Sequence, residues 1–260
     1  MAAHISNTWP AARWREFVAA GSLLTRLPLP RVEMTDPQTM ANGVWAYPVF
    51  GAVIGGFGAA AFALAHAAGL PPSLGAIAAL GAAALVTGAL HEDGLADFCD
   101  GAGGGATREQ KLLIMEDSRV GTYGVVALVL SLAARWGAIA ALTDPLAVAL
   151  TLVVAHSVSR AAMTTIFLLM APAKTEGLGA AVGKPGLTPV MTACLIATGL
   201  TLLLLPTPQT LLLLLAGLVA VLLVAWLSAR QIGGYTGDVF GAAQQAVEIA
   251  VLWAVLASSG

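Results

Sequence analysis

HEDGLADFCDGAGGGATREQKLLIMEDSRVGTYG, residues 91–124, sets His91, Glu92, Asp93, Asp97, Asp100, Glu109, Glu116 and Asp117 in a chain otherwise dominated by Ala, Leu, Val and Gly. If the segment is helical from Leu90 onward, Asp93, Asp97 and Asp100 fall at i, i+4 and i+7 and share one face. Carboxylates held that close repel one another, and oxygen ligands on a helix facing a pocket suit a hard divalent ion such as Mg²⁺. The expectation is a metal-assisted phosphoryl-chemistry site at the edge of a membrane. The alternative for the same residues is a solvated acidic face that repels phospholipid headgroups, at the cost of packing like charges beside lipid.

The rest of the chain supplies the membrane. Of 260 residues, 58% are hydrophobic and only 10% charged, with a mean hydropathy of +0.85, whereas an average soluble domain carries roughly 25% charged residues. The formal charge of -2 and the scattered basic residues leave no nucleic-acid footprint. Cys99 and Cys194 lack metal-ligand spacing and suggest neither a disulfide framework nor a zinc site. Met1 to Pro30 carries Arg13, Arg15 and Arg26 without the long apolar core of a cleavable signal peptide, so the spans themselves are expected to direct insertion.

Working outward, the chain reads as one all-α domain over residues 1–260, a polytopic membrane bundle of about seven transmembrane helices. Residues 1–42 form an N-terminal segment. Its stretch Trp9 to Leu27 sets Trp14, Phe17, Val18, Leu23 and Leu24 against Arg13, Arg15, Glu16 and Arg26, the pattern of an interfacial helix. Pro28 and Pro30 stop it, and a polar connector, Arg31 to Asn42, follows. Residues 43–257 form the bundle, since a span needs about 20 apolar residues. The expected spans are Gly43 to Gly69, Ser73 to Leu90, Val120 to Leu142, Leu146 to Ala171, Thr188 to Leu205, Gln209 to Ala229 and Val239 to Ala257. Gly51-xxx-Gly55 permits close helix association within the chain or between copies of it, so a homo-oligomer is open. Of the 12 Lys and Arg, all but Arg135 and Arg160 fall in the N-terminal segment or in the loops 91–120, 172–187 and 230–238. These share one side, which the positive-inside rule makes cytoplasmic, and the polar motifs converge there.

Further candidates lie in those loops. His91 suits a base or a phosphate hydrogen-bond donor, or else simply ends a span at the interface. Asp117-Ser118-Arg119-Val120-Gly121-Thr122-Tyr123-Gly124 combines a carboxylate, hydroxyls, a guanidinium fork and glycines opening a helix, as a phosphate-binding turn does. A helix cap would use the same residues. Gly233-Gly234-Tyr235-Thr236-Gly237-Asp238 repeats the theme, or is an ordinary turn. Arg160, with His156, Ser157 and Ser159 nearby, is a candidate substrate contact. Arg135 neutralises a buried acid on this reading, with Glu248 one partner to consider. Gly177 to Lys184 imitates a P-loop but lacks its first Gly and its Ser or Thr.

Taken in order, His91-Glu92-Asp93-Gly94-Leu95-Ala96-Asp97, Asp100-Gly101 and Ile114 to Gly124 resemble cobalamin synthase, the adenosylcobinamide-GDP ribazoletransferase family. Arg26 to Pro30, Ser159-Arg160, Glu176-Gly177-Leu178-Gly179 and Gly233 to Ala242 extend the likeness over nearly the whole chain. Glu92 departs from it, an apolar residue being usual there. The resemblance implies a Mg²⁺-dependent, multi-pass enzyme of the bacterial inner membrane. Its substrates would be adenosylcobinamide-GDP and α-ribazole, or the 5′-phosphate of the latter, and its products adenosylcobalamin, or its 5′-phosphate, and GMP. On that footing Asp93, Asp97 and Asp100 are the expected metal ligands, while Asp117, Asp238 and His91 complete the shell or act as acid and base. Ser118, Arg119, Thr122, Arg160, Gly233, Gly234 and Thr236 are the expected substrate contacts. CDP-alcohol phosphotransferases are a rival, but Asp97 stands where their motif would want Arg. Membrane prenyltransferases would want D-x-x-D, which Asp93 does not begin. A divalent-cation transporter would want its acids at mid-membrane.

Overall fold

The computed structural model describes residues 9–30, 37–174, 177 and 182–258, and among them there is helix and turn but no strand. Helix α1 (Trp9–Leu24), the short α2 (Pro37–Gly43) and a 3₁₀ turn, Val44–Ala46, lead into α3 (Tyr47–Ala67). Then come α4 (Pro72–Thr87), α5 (Leu90–Gly104), α6 (Arg108–Met115), α7 (Thr122–Ala141), α8 (Pro145–Thr164) and α9 (Ile166–Leu169). The chain closes with α10 (Leu187–Leu204), α11 (Thr207–Ile232) and α12 (Gly237–Ser258).

Six of these stretches are long and apolar enough to cross a bilayer: Gln38–Ala67, Thr122–Ala141, Pro145–Leu169, Leu187–Leu204, Thr207–Ile232 and Gly237–Ser258. The seventh expected span is α4, only 16 residues or roughly 24 Å long. It ends at Gly88, whose left-handed φ of 65° returns its N–H to Ala84 and Leu85, and Ala89 continues in the same region at φ 57°. That corner turns α5 by 89°, so α5 lies across the end of the bundle and outside the spans. Residues 91–120 are thus ordered helix, α5 and α6, rather than loop. The left-handed φ favours glycine at position 88, and the Arg26 side chain packs where a Cβ would stand. The backbone N–H of Arg26 also donates to Val86 O (2.7 Å), tying the stretch RLPLP to the corner.

Within the bundle α8 and α12 are the central helices, each about two-thirds buried (67%). The outer helices present apolar side chains outward, Leu85, Leu195 and Leu203 among them, which a lipid environment requires and water would penalise. The chain is therefore a multi-pass membrane protein. Gly51 and Gly55 face α8 of the same chain: a Cβ on Gly51 would lie 2.2 Å from His156 O, and one on Gly55 2.5 Å from Leu152 O. This stripe serves intramolecular packing. The N-terminal helix α1 ends at Leu24 rather than Leu27. Phe17 packs on Trp14, Trp45 and Phe50. Glu16, expected on the polar face, is instead buried, paired with Arg13 and accepting from Trp45 Nε1 (2.9 Å).

The polar loops do gather on one side. Arg108 Nε donates to Ile232 O (2.8 Å) and its Nη2 to Ala173 O (2.7 Å), while Lys174 pairs with Glu116 (2.7 Å). An isolated parallel bridge, Pro172 to Tyr235, joins the ends of α9 and α11. The motif Glu176 to Gly179 lies, except for Gly177, outside the described residues, as do residues 1–8 and 31–36. Gly55→Val should force α3 from α8, an overpacking cost of roughly 1–3 kcal/mol or more. The measurement is the thermal midpoint in detergent, and an unchanged midpoint would mean that this contact does not carry the helix pair.

Candidate active site at the acidic helix

Asp93, Asp97 and Asp100 lie in one regular helix as the spacing requires, but their surroundings differ. Where α5 crosses the start of α12, Gly94 meets Gly241: a Cβ on Gly94 would stand 3.1 Å from Asp238 Cα, and one on Gly241 2.9 Å from Gly94 Cα. The missing side chains bring Asp93 and Asp97 into the field of Asp238. Among the described residues neither Asp93 nor Asp97 has an ion pair. Partial burial, then the charges of Asp93, Asp238 and Asp100, lift the Asp97 carboxyl from 3.8 to about 6. As the side chains stand, no three carboxylates, imidazoles or thiols among the described residues close around an ion. The donor set nevertheless has the chemistry of a hard cation's site: oxygen ligands only, in net negative excess.

Asp100 has a second employment. Its Oδ2 accepts from Gly121 N–H (2.7 Å) and its Oδ1 from Gly124 N–H (2.9 Å), so it caps the first turn of α7 from outside that helix. A Cβ at Gly121 or Gly124 would intrude to 2.5 or 2.3 Å of that carboxylate. The glycines of the expected phosphate-binding turn therefore admit an aspartate of the chain itself. Asp117 and Arg119 chelate each other in the same turn, Nη2 to Oδ2 at 2.6 Å and Nε to Oδ1 at 3.0 Å. These bonds hold the Asp117 carboxyl down at about 2. Ser118, Arg119 and Thr122 are all exposed. Arg119 and Thr122, with Asp117 and Tyr123, line an open cleft of about 450 Å³ on the α7 side of α5.

At the N-terminal end of α5, a cavity of about 300 Å³ is lined by His91, Asp93 and Asp238 together with apolar residues of α1, α8 and α9. Thr236 Oγ1 donates to Asp238 Oδ2 (3.0 Å). Gly233 closes α11 with a left-handed φ of 75°. Gly234 is buried, and a Cβ there would lie 2.4 Å from Ala171 O; this pair of glycines joins two loops.

Arg160 is not at the surface of either concavity. It is 1% exposed and belongs to a buried polar network that sequence reasoning named only in fragments. Arg135 Nη1 reaches Glu92 (3.1 Å) and Glu248 (3.4 Å), so the partner considered for Arg135 is its partner. His156 Nδ1 faces Glu248 Oε2 (3.2 Å), and Arg160 Nη1 lies 3.0 Å from the same ring nitrogen and 3.2 Å from His156 O. With the ring proton on Nδ1 and given to Glu248, Arg160 keeps the carbonyl as its acceptor. Gln244 donates to Glu248 (2.6 Å) and Gln245 to Glu92 (3.1 Å), and Ser131 donates to Gln245 (2.8 Å). Glu92, set aside in the sequence reading, is thus a structural anchor between α5 and α7. The signal for it was the polar spacing of Gln244, Gln245 and Glu248 inside an otherwise apolar span.

Fold and site together define a polytopic helical membrane protein with an acidic helix laid across the bundle end. The cobalamin-5-phosphate synthase family model matches residues 16–256, and the chain belongs to that family, whose work is cobalamin synthesis. Curated relatives carry the name adenosylcobinamide-GDP ribazoletransferase. The protein of Bradyrhizobium diazoefficiens is 44% identical over 233 residues, covering 90% of this chain and 90% of its own. That of Mesorhizobium japonicum is 43% identical, with 88% and 87% covered, and that of Azorhizobium caulinodans 43%, with 92% and 94%. No solved structure matches the chain.

Glu248→Gln removes the anion between Arg135 and His156 and should destabilise the fold by about 3 kcal/mol or more, read as a lowered thermal midpoint in detergent. A second expectation concerns pH. The folded Asp97 carboxyl, at about 6 against 3.8, holds its proton to higher pH than the unfolded chain does. In metal-free protein that contribution to stability must therefore fall as pH rises from about 4 to 6 and level off above. Asp97→Asn should flatten this part of the profile, and an unaltered profile would place the titration elsewhere.

Proposed function

We propose that the enzyme joins adenosylcobinamide-GDP to α-ribazole, or to its 5′-phosphate, and releases GMP at the cytoplasmic face of a bacterial inner membrane. The observation that carries this reading is the meeting of Asp93 and Asp97 with Asp238 at a glycine crossing, an anionic cluster in which neither Asp93 nor Asp97 has a cationic partner among the described residues. The shared name of relatives that match along nearly their whole length supports the same substrates, and the concentration of basic residues in the loops supports the orientation.

In this reaction a ribazole hydroxyl oxygen forms a bond to the phosphorus carried by the cobinamide arm. The bond from that phosphorus to the oxygen bridging to GMP breaks, and the hydroxyl proton passes to a carboxylate. Asp93 and Asp97, with Asp238 opposite, would hold Mg²⁺, Asp100 adding only its remaining lone pairs. When bound, the ion supplies charge neutralisation for the diphosphate and the departing GMP. Asp238 is better suited than Asp117 to take the proton, because the chelating Arg119 makes Asp117 a weak base. His91 lines the same cavity as Asp238 and orients the acceptor. Ser118, Arg119 and Thr122, exposed beside the open cleft, meet phosphate oxygens, and Thr236 steadies Asp238. Gly233, Gly234 and the buried Arg160 shape the site from behind.

The test is turnover by purified protein in detergent or liposomes with adenosylcobinamide-GDP, α-ribazole and Mg²⁺, GMP and corrinoid product being followed by mass spectrometry. Stoichiometric GMP and cobalamin, lost on chelation of the metal, is the expected result. Asp93→Ala should lower turnover about a hundredfold or more. Wild-type rates in that variant would remove Asp93 from the site.

A further inference from the structure

The 300 Å³ cavity is sharply two-sided. One end holds Asp93, Asp238 and His91. The remainder is wall: Leu23 and Leu24 from α1, Tyr47 from α3, Met163 from α8, Phe167 from α9 and Phe240 from α12. The two phenylalanines pack with their rings tilted by 36° and their centroids 4.5 Å apart, and Tyr235 meets them edge-on at 5.4 and 5.2 Å, which fixes a rigid aromatic side. Small-ligand sites have this build, a mostly apolar container with a few convergent polar groups, and this volume stands at the small end of their range.

Resting on the reading above, we infer that this cavity is the acceptor subsite: it takes the planar aromatic base of the ribazole nucleoside, leaving the ribose at the Asp93–Asp238 end. Three parts of the reactants compete for it. The corrin macrocycle with its amide side arms is far too large. Guanine is small enough, but its edge carries several donors and acceptors that must be matched once water is excluded, and leaving them unpaired is costly. A benzimidazole offers two apolar faces and one free acceptor nitrogen, which the Tyr47 hydroxyl and the His91 ring are there to meet. The donor substrate then belongs to the open cleft at the other end of α5, beside Asp100 and Gly104, with Asp97 on the stretch of helix between the two. The base chosen for the product's lower ligand is set by the wall, Met163 above all, because its unbranched thioether is the most adaptable of the lining side chains.

Met163→Phe shrinks the container and Met163→Ala enlarges it. Steady-state kinetics in detergent should show Met163→Phe raising KM for α-ribazole about tenfold or more with KM for adenosylcobinamide-GDP within about twofold, and the loss partly recovered with the riboside of benzimidazole lacking the two methyl groups. Met163→Ala should improve the relative kcat/KM for the riboside of a larger, naphthalene-fused base. A KM change confined to adenosylcobinamide-GDP would put guanine in the cavity. No change in either KM in both variants would leave it to a lipid chain, and either result overturns the inference. Should the wild-type protein release no GMP at all, the reaction assigned above fails instead, and equilibrium dialysis of α-ribazole alone decides the subsite. Binding by wild-type protein that is weakened in Met163→Phe supports it, and equal or absent binding refutes it.

Discussion

A charge inside a lipid-embedded bundle must find its opposite, and here that requirement ties four helices together. Arg135 of α7, His156 and Arg160 of α8, and Glu248 of α12 meet in the bundle interior, and Glu92 brings α5 into the set. Two guanidiniums and two carboxylates nearly cancel, and Gln244, Gln245 and Ser131 occupy much of the remaining hydrogen-bonding capacity. Removing any one charge strands the rest. The position of α5 follows from this, because Glu92 is its only residue ion-paired into the bundle among those described.

Helix α5 must also lie flat. The corner at Gly88 and Ala89 turns it by 89°, and glycines at each crossing let it approach within backbone distance: Gly94 against Gly241 of α12, Gly101 against Lys111 O of α6. Three aspartates on one helical face thereby acquire three environments. Asp93 opens into the apolar cavity, Asp97 sits amid its acidic neighbours, and Asp100 is turned to the backbone of α7. Along this one helix a mostly apolar cavity lies at the N-terminal end and an open, more polar cleft at the C-terminal end.

Loop contacts gather around the acidic helix at the bundle end. Arg108, Lys174 and the Pro172–Tyr235 bridge bind α6, α9 and α11 to one another at the same level. Such anchoring restrains the loops that face the substrates, which is where positional error costs an enzyme most.

Most of the architecture was legible in the chain. Hydropathy and proline or glycine breaks located every span to within a few residues, since lipid allows a spanning segment little choice but a continuous apolar helix. The i, i+4, i+7 spacing placed the three aspartates on one regular helix, as found, and the family likeness pointed to the family that the comparisons show. Sequence could not reveal that Asp100 caps α7, that Arg160 is turned inward, or that Glu92 is anchored. Each depends on which residue from a distant span arrives within 3 Å, and helical periodicity specifies a face without naming what packs against it. The same limit hid the cavity, whose walls come from α1, α3, α8, α9 and α12. The sequence by itself determined a multi-pass helical membrane protein with six or seven apolar spans and one acidic helix face. Only the tertiary structure decided which acids remain free for a cation and which are consumed by the fold, because that depends on long-range close approach between helices.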